Sequence, residues 1–184
     1  MIVVTSRAKD MSTRRAVSRI PIKSIVPAAL TPFTPDLQLD RAAFRRHLAA
    51  LAAVPGVTAI MVNGGAGEDA ALSRDERRTL VAEAVAAVGD RTPVIAAVRE
   101  TKAIPDLGTL AKDAAAAGAH ALLIMPPPNK DDLAWEGASA RCERVFNAAD
   151  LPVAIYHVAY ATETLVRLAG FAPTRRYFRE RSHS

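Results

Sequence analysis

Short apolar runs and longer helical patterns alternate along the chain from residue 21 to residue 170. Each run is apolar at consecutive positions rather than at every second position, which is typical of strands buried on both faces. The pattern therefore predicts a parallel sheet covered by helices. The five predicted strands span residues 24–30, 57–62, 93–98, 120–125 and 152–156.

The segments between the predicted strands carry signals for the start and the end of helices. Asp40 is a predicted cap for a helix over residues 41–53. Ser73 and Glu76 have the spacing of a capping box, and the helix that they open is predicted to end at Gly89. Three more helices are predicted over residues 105–118, 135–148 and 163–169.

Regular spacing of the predicted strands limits the fold to two architectures. The strands begin about 27 to 36 residues apart, as in repeated right-handed βα units. Both an open doubly wound sheet and a (β/α)₈ barrel have this spacing. The loop after the first strand lacks a glycine-rich phosphate turn, which counts against the open sheet, and units of about 32 residues suit a barrel of roughly 250 residues. We therefore predict an α/β fold, an incomplete (β/α)₈ TIM barrel with about five βα units.

Basic residues are concentrated at the two ends of the chain. The formal charge is +5, of which residues 1–20 contribute +4 and residues 171–184 contribute +3, so that residues 21–170 carry −2. Basic ends without interleaved aromatic side chains are typical of solvated tails rather than of a nucleic-acid interface. We expect no nucleic-acid partner. The predicted division is a basic N-terminal extension (1–20), a partial barrel domain (21–170) and a basic, irregular tail (171–184).

Cysteine content and hydropathy exclude further classes of protein. A single cysteine, Cys142, rules out an internal disulfide, and no His/Cys cluster surrounds it, so neither a metal site nor a cofactor is expected. The longest apolar runs are too short to cross a bilayer, and the first residues lack the apolar run of a signal peptide. These features predict a cytoplasmic protein without a membrane partner.

A glycine-rich turn follows the second predicted strand and is the most informative stretch of the sequence. It consists of Gly64, Gly65, Ala66 and Gly67. Glycines at the carboxyl end of a strand allow backbone N–H groups to point at an anion such as a carboxylate or a phosphate. A flexible βα turn explains the same composition, and on composition alone that interpretation is favoured.

Several segments together resemble the dihydrodipicolinate synthase / N-acetylneuraminate lyase family. Residues 62–78, VNGGAGEDAALSRDERR, resemble the family pattern G-[TS]-T-G-E followed by L-S-x-x-E-R. Four other segments resemble the family in the same order: PAALTPF at 27–33, VIAAV at 94–98, GAHALLIMPPPNK at 118–130 and DLPVAIY at 150–156.

The resemblance implies class I aldolase-type chemistry on pyruvate or another 2-keto acid in a (β/α)₈ barrel. A lysine on the sixth strand forms a Schiff base with the keto group, and the protonated Schiff base acts as an electron sink. By resemblance, the carboxylate of the keto acid is bound by Gly64, Gly65, Ala66 and Gly67, and Tyr156 transfers the proton as a general acid and base.

Departures from the family pattern predict altered substrate use. Gly65 and Ala66 replace the two hydroxyl-bearing residues of the turn, so the side-chain relay to the tyrosine is missing. The sequence YHVA at 156–159 stands in place of Y-N-x-P, and the segment after it is about six residues shorter than in the family pattern. Pro127 and Pro128 stand where the synthases place tyrosines that reach a neighbouring subunit. We expect a subfamily other than the lysine-biosynthetic synthases.

The Schiff-base lysine has no counterpart in the sequence. Residues 171–184 contain no lysine and no strand-like run, so we expect the last three βα units and the nucleophile to be absent and the activity to be impaired. The arginine-rich tail is most simply read as out-of-frame sequence. Lys102 and Lys130 are predicted to lie in loops on the active-site face, exposed to solvent.

Five units leave two strand edges and an inner sheet face without neighbours. We therefore expect a homo-oligomer, or aggregation through the open sheet edges. Two alternatives to a lyase-family protein that binds a small 2-keto acid remain open. One is a non-catalytic partner that completes a barrel with another chain, and the other is a small open-sheet binder of a keto acid or nucleotide.

Overall fold

Strands and helices alternate through most of the chain. The structure is a computed structural model that describes residues 2–5 and 25–169. The predictions made for the rest of the basic extension and for the tail at 171–184 lie outside the described residues. The described strands are β1 (Ile2–Thr5), β2 (Ile60–Val62), β3 (Val94–Val98), β4 (Ala121–Ile124) and β5 (Pro152–Ile155). The described helices are α1 (Arg41–Ala52), α2 (Arg74–Val88), α3 (Leu107–Ala116), α4 (Trp135–Ala148) and α5 (Thr162–Ala169).

From β2 to β5, consecutive strands are neighbours in one sheet. The sheet order is β1-β5-β4-β3-β2, and the pairs from β2 to β5 are all parallel. A doubly wound sheet reverses its strand order at a switch point, whereas here each strand from β2 to β4 pairs with the next one along the chain. This order is that of successive strands in a barrel, and it confirms the predicted incomplete (β/α)₈ barrel.

The first predicted strand runs beside β2, but it pairs at separate points. Isolated parallel bridges join Ile25 to Val57 and Ala28 to Met61. Pro27 accepts a hydrogen bond from the N–H of Met61 at 2.9 Å. Because the N and O atoms of a strand residue point to the same side, the missing N–H of Pro27 removes one bond of this ladder. The predicted strand at 24–30 is therefore in its expected place with an interrupted ladder.

The helices begin at the caps that the sequence predicts. The Asp40 side chain accepts from the N–H of Ala43 at 2.8 Å, and Ser73 and Glu76 complete the capping box of α2. Asp106 caps α3 by accepting from the N–H groups of Gly108 and Thr109, so this helix begins two residues after the predicted position. None of the helices in the described part of the chain is long and apolar enough to cross a membrane.

The sheet is buried on both faces. Every residue of β3 and β4 is buried, as the continuous apolar runs predict. One face packs against the helices. The other forms a separate apolar cluster in which no side chain is more than 7% exposed: Ala59, Ile95, Ala97, Ala121, Leu123, Met125 and Ala154. The expectation of an uncovered inner face is wrong for these residues, because alanine offers little surface and the longer side chains pack against it.

An additional strand, β1, covers the edge of β5. β1 pairs with β5 in antiparallel orientation, with Ile2 opposite Ile155 and Thr5 opposite Pro152. The sequence pattern did not predict this strand, because the basic residues among positions 1–20 indicated a solvated end. The sequence IVVT is rich in β-branched residues, which favour strands. The edge of β5 is therefore paired with β1, and the expectation that this edge is open is wrong.

The direction of the β5 amides gives a specific test of this pairing. Tyr156 donates its N–H to Ile124 of β4. Because directions alternate along a strand, the N–H of Ala154 also faces β4, and those of Val153 and Ile155 face β1.

Deletion of Ile2–Thr5 is expected to accelerate amide exchange at Val153 and Ile155, because both amides lose their acceptors. Ala154 is the internal control, since its acceptor belongs to β4. Hydrogen exchange followed by NMR at low protein concentration measures all three sites. Unchanged protection of Val153 and Ile155 would contradict the pairing.

Candidate functional site

The carboxyl ends of β2 to β5 lie at one edge of the sheet, where the loops that follow them meet. Parallel strands joined by helices impose this arrangement, and it is the edge that carries the active site in (β/α)₈ barrels. The glycine turn follows β2, and Tyr156 follows β5 directly. The structure therefore brings both sequence-predicted parts of the site to the same edge.

The glycine turn is a short 3₁₀ helix, Gly65–Gly67. The N–H of Gly67 donates to the carbonyl of Gly64 at 2.9 Å, and the N–H of Glu68 donates to Gly65 at 3.1 Å. The first amides of such a turn have no carbonyl partner within it. Because Gly65 and Ala66 are also exposed, their two N–H groups are the donors that the turn can offer to an anion.

Close packing fixes the end of the turn. The Thr31 hydroxyl donates to the carbonyl of Gly67 at 2.8 Å. A Cβ atom added at Gly67 would lie 3.0 Å from the carbonyl oxygen of Ala29 and 3.2 Å from Thr31 Oγ1, whereas one added at Gly65 would meet nothing within 4 Å. Gly67 is therefore required for contact with the segment that precedes α1, and Gly65 is not.

Residues with left-handed backbone conformation flank the turn. Asn63 and Glu68 both have a φ of 58°. Asparagine tolerates this conformation better than most residues, and the Asn63 side-chain amide donates to the carbonyl of Arg77 at 3.0 Å. The sequence analysis did not identify this contact, because it depends on α2 folding back against β2.

Charged side chains contact the loop that follows the turn. The Asp69 side chain is only 1% exposed and accepts from Arg99 Nη2 at 2.5 Å. Arg77 donates to the backbone carbonyls of Asp69, Leu72 and Arg99. Burial lowers the pKa of the Arg77 guanidinium, and arginine nevertheless stays protonated in proteins. These contacts tie the loop after β2 to the end of β3.

Tyr156 lies one residue beyond β5 and is 39% exposed. Its N–H donates to the carbonyl of Ile124 at 2.9 Å, which extends the pairing with β4. Its ring centroid is 6.5 Å from that of His157. The backbone of Tyr156 is therefore held by the sheet, and its side chain is accessible at the carboxyl edge.

The short loop after Tyr156 is held by a buried network that the sequence analysis missed. Arg141 Nε and Nη2 donate to the two carboxylate oxygens of Glu100, both at 2.6 Å, and Arg141 Nη1 donates to the Tyr160 hydroxyl at 2.8 Å. Arg141 Nη2 also donates to the carbonyl of Met125 at 2.9 Å. Removing one partner of such a buried pair costs about 3–5 kcal/mol.

One sequence signal could have revealed this network. Arg141 lies on the buried stripe of α4, at helical spacing from Ala138 and Val145. A charged residue on an apolar stripe requires a buried partner. Its partner Glu100 is 41 residues away along the chain, so spacing alone could not identify it.

The candidate nucleophilic side chains are either buried or exposed to solvent. Burial raises the pKa of the Cys142 thiol to about 12, so it stays protonated at neutral pH. Burial likewise raises the pKa of the Tyr160 hydroxyl. Lys102 and Lys130 are exposed, as predicted. Within residues 2–5 and 25–169, no three His, Cys, Asp or Glu side chains are grouped to hold a metal ion.

A recess between the sheet and the helices is too small for a substrate. Asn63, Val81, Ala97 and Leu110 contribute to its lining, and its cavity volume is about 10 Å³. That volume accommodates about one water molecule. The recess is therefore too small to hold an organic ligand.

Gly67→Ala is expected to lower the free energy of unfolding by about 1–3 kcal/mol, because its Cβ would press against the Ala29 carbonyl. Gly65→Ala, the matched control, meets open space and is expected to change stability by less than about 0.5 kcal/mol. Urea unfolding of the two variants measures the difference. Equal stabilities would show that the turn does not pack as described.

Comparisons with known proteins agree with this geometry. Residues 21–171 match the Dihydrodipicolinate synthetase family. The chain is 37% identical over 158 residues to the 4-hydroxy-tetrahydrodipicolinate synthase of Salinibacter ruber, covering 82% of this chain and 51% of the relative. It is 38% identical over 156 residues to 4-hydroxy-tetrahydrodipicolinate synthase 2 of Streptomyces coelicolor, covering 81% and 51%.

Solved structures of proteins from the same family are similar to this chain. The dihydrodipicolinate synthase of Agrobacterium tumefaciens has a TM-score of 0.71 at 31% identity, over 83% of this chain and 52% of that chain. The N-acetylneuraminate lyase of Mycoplasma synoviae has a TM-score of 0.71 at 25% identity, over 82% and 51%. The chain spans about half the length of the curated relatives it matches. It belongs to the dihydrodipicolinate synthetase family.

Proposed function

We propose that this chain binds the carboxylate of pyruvate or a related 2-keto acid at the turn formed by Gly64, Gly65, Ala66 and Gly67. The family is one of aldolase-type lyases. The observation that carries the proposal is the position of two exposed, unshared amides, those of Gly65 and Ala66, at the carboxyl edge of the sheet.

The strength of binding follows from the number of donors. A hydrogen bond from a backbone amide to an ionised carboxylate contributes about 1.5–3 kcal/mol. Two such bonds contribute about 3–6 kcal/mol before the entropy lost on association is subtracted, so we expect weak binding, with a dissociation constant above about 1 mM. Gly65 and Ala66 contribute no hydroxyl groups, so the carboxylate is held by the backbone.

Tyr156 is the proposed acid–base residue for the keto group. Its exposed side chain at the end of β5 supports this role. Because the turn lacks hydroxyl side chains, no relay leads from Gly65 or Ala66 to the tyrosine, and any proton transfer would depend on Tyr156 and solvent.

We further propose that this chain alone has little or no lyase activity. The last lysine of the sequence is Lys130, which precedes β5, and the family resemblance assigns the Schiff base to the strand after β5. An amine becomes a nucleophile at neutral pH when burial or a neighbouring cation disfavours its charged form. The exposure of Lys102 and Lys130 disfavours both as substitutes.

The alternative role, completion of a barrel with another chain, meets a structural obstacle. A partner strand would have to pair with the edge of β5 that faces away from β4, and β1 occupies that edge. The observed pairing therefore favours the binding of a small 2-keto acid over assembly through β5.

Gly65→Pro is expected to weaken pyruvate binding about tenfold or more, because it removes one of the two donors. Gly65 is the first residue of its 3₁₀ turn and follows the extended Gly64, where proline fits. Gly65→Ala, which keeps the N–H, is the matched control and should bind like the unchanged chain. NMR titration of the backbone amides measures both, and equal affinities of the two variants would exclude this donor.

Borohydride reduction in the presence of pyruvate is expected to leave the mass of the chain unchanged. The physical reason is the absence of an activated amine at Lys102 and Lys130. Intact-mass measurement followed by peptide mapping detects any reduced Schiff base. A stable pyruvate adduct at either lysine would contradict the proposed loss of activity.

A further inference from the structure

Two consecutive residues directly after β3 are linked through other side chains to both parts of the candidate site. We propose that Arg99 and Glu100 are positioning residues: Arg99 holds the glycine turn through Asp69, and Glu100 holds the Tyr156 loop through Arg141 and Tyr160. The role of these contacts in ligand binding rests on the proposed function, whereas the contacts themselves are features of the structure.

The first arm runs from Arg99 to the turn. Arg99 Nη2 donates to Asp69 Oδ1 at 2.5 Å, and the Asp69 side chain is 1% exposed. The backbone N–H of Asp69 donates to the carbonyl of Gly64 at 3.4 Å. Asp69 is therefore bonded to Gly64 through its backbone and to β3 through its side chain, so a change at Arg99 reaches the turn through one residue.

The second arm runs from Glu100 to the loop that carries Tyr156. Glu100 and Arg141 form two hydrogen bonds of 2.6 Å each, and Arg141 donates to the Tyr160 hydroxyl at 2.8 Å. The N–H of Tyr160 donates to the carbonyl of His157 at 3.0 Å, which closes a turn directly after Tyr156. The buried Tyr160 side chain thus anchors one end of this turn, and β5 anchors the other.

Burial determines how Arg141 acts. Its side chain is only 2% exposed, and the Glu100 carboxylate compensates its charge. It is therefore enclosed and cannot present its guanidinium to a ligand at the solvent-facing edge. Besides Glu100, it contacts the Met125 carbonyl and the Tyr160 hydroxyl, and the contact with Tyr160 links it to the loop after Tyr156. Arg141 is therefore part of the positioning arm rather than a ligand-binding residue.

The position of β3 explains why one dipeptide can serve both parts. β3 pairs with β2 on one side and with β4 on the other. Successive side chains at the end of a strand point in opposite directions. Arg99 contacts the loop after β2, whereas Glu100 contacts α4 and, through it, the loop after β5.

A matched pair of substitutions separates positioning from plain stabilisation. Glu83 of α2 is also a buried carboxylate paired with arginines, Arg41 and Arg45 of α1, in the helix layer. Glu100→Gln and Glu83→Gln therefore make the same chemical change in two largely buried carboxylates that are paired with arginine. Only the first pair is connected to the Tyr156 loop.

The experiment follows the ring signals of the three tyrosines of the chain by selective labelling and NMR, without ligand. Tyr156→Phe and Tyr160→Phe assign the signals. Glu100→Gln is expected to move the Tyr156 ring signal and to speed amide exchange at Tyr160 about tenfold or more. Glu83→Gln is expected to lower stability and leave both unchanged.

Two further variants keep the test decisive. Tyr160→Phe removes a single hydroxyl, so it is expected to fold and to move the Tyr156 signal even if Glu100→Gln unfolds the chain. Arg99→Met is expected to shift the amide signals of Gly65 and Ala66. If both variants leave these signals as in the unchanged chain, Arg99 and Glu100 are purely stabilising and the proposal is wrong. Because no ligand is added, failure of pyruvate binding does not affect this result.

Discussion

Parallel pairing of consecutive strands is the constraint on which the rest of this structure depends. It places residues 25–29 and strands β2 to β5 side by side in chain order, with one helix between each strand and the next. All carboxyl ends then lie at one edge, so residues more than 90 positions apart in the sequence, Gly64 and Tyr156, share a surface. Without that pairing, the glycine turn and the tyrosine would not lie at a common edge of the sheet.

The sequence pattern was sufficient for the elements and their order. Continuous apolar runs identified β2 to β5, and Asp40, Ser73 and Glu76 located two helix starts, because caps and buried strands depend on local residue types. The first predicted strand is interrupted at Pro27, because this residue has no N–H to donate to the ladder. β1 was missed because a four-residue strand on an edge has no periodic pattern long enough to detect.

The glycine turn and Tyr156 could also be located from the sequence, since the turn comes shortly after the second predicted strand and Tyr156 is the last residue of the fifth. The residues that hold them could not. Asp69 with Arg99, and Glu100 with Arg141, are pairs separated by 30 and 41 residues. Long side chains that meet across several loops depend on the tertiary packing, and only the position of Arg141 on the apolar stripe of α4 indicated that a partner existed.

In the proposed site, the backbone takes the place of hydroxyl-bearing side chains. Gly65 and Ala66 offer amides without hydroxyls, and the ion pairs Arg99–Asp69 and Arg141–Glu100 connect the surrounding loops to the end of β3. The central claim is that these two amides bind a keto-acid carboxylate without a covalent bond to the protein. A crystal structure of the chain with pyruvate tests it most directly. The predicted result is a carboxylate about 3 Å from the amide nitrogens of Gly65 and Ala66, with the keto group intact. Pyruvate bound elsewhere, or joined to a lysine Nζ, would contradict it.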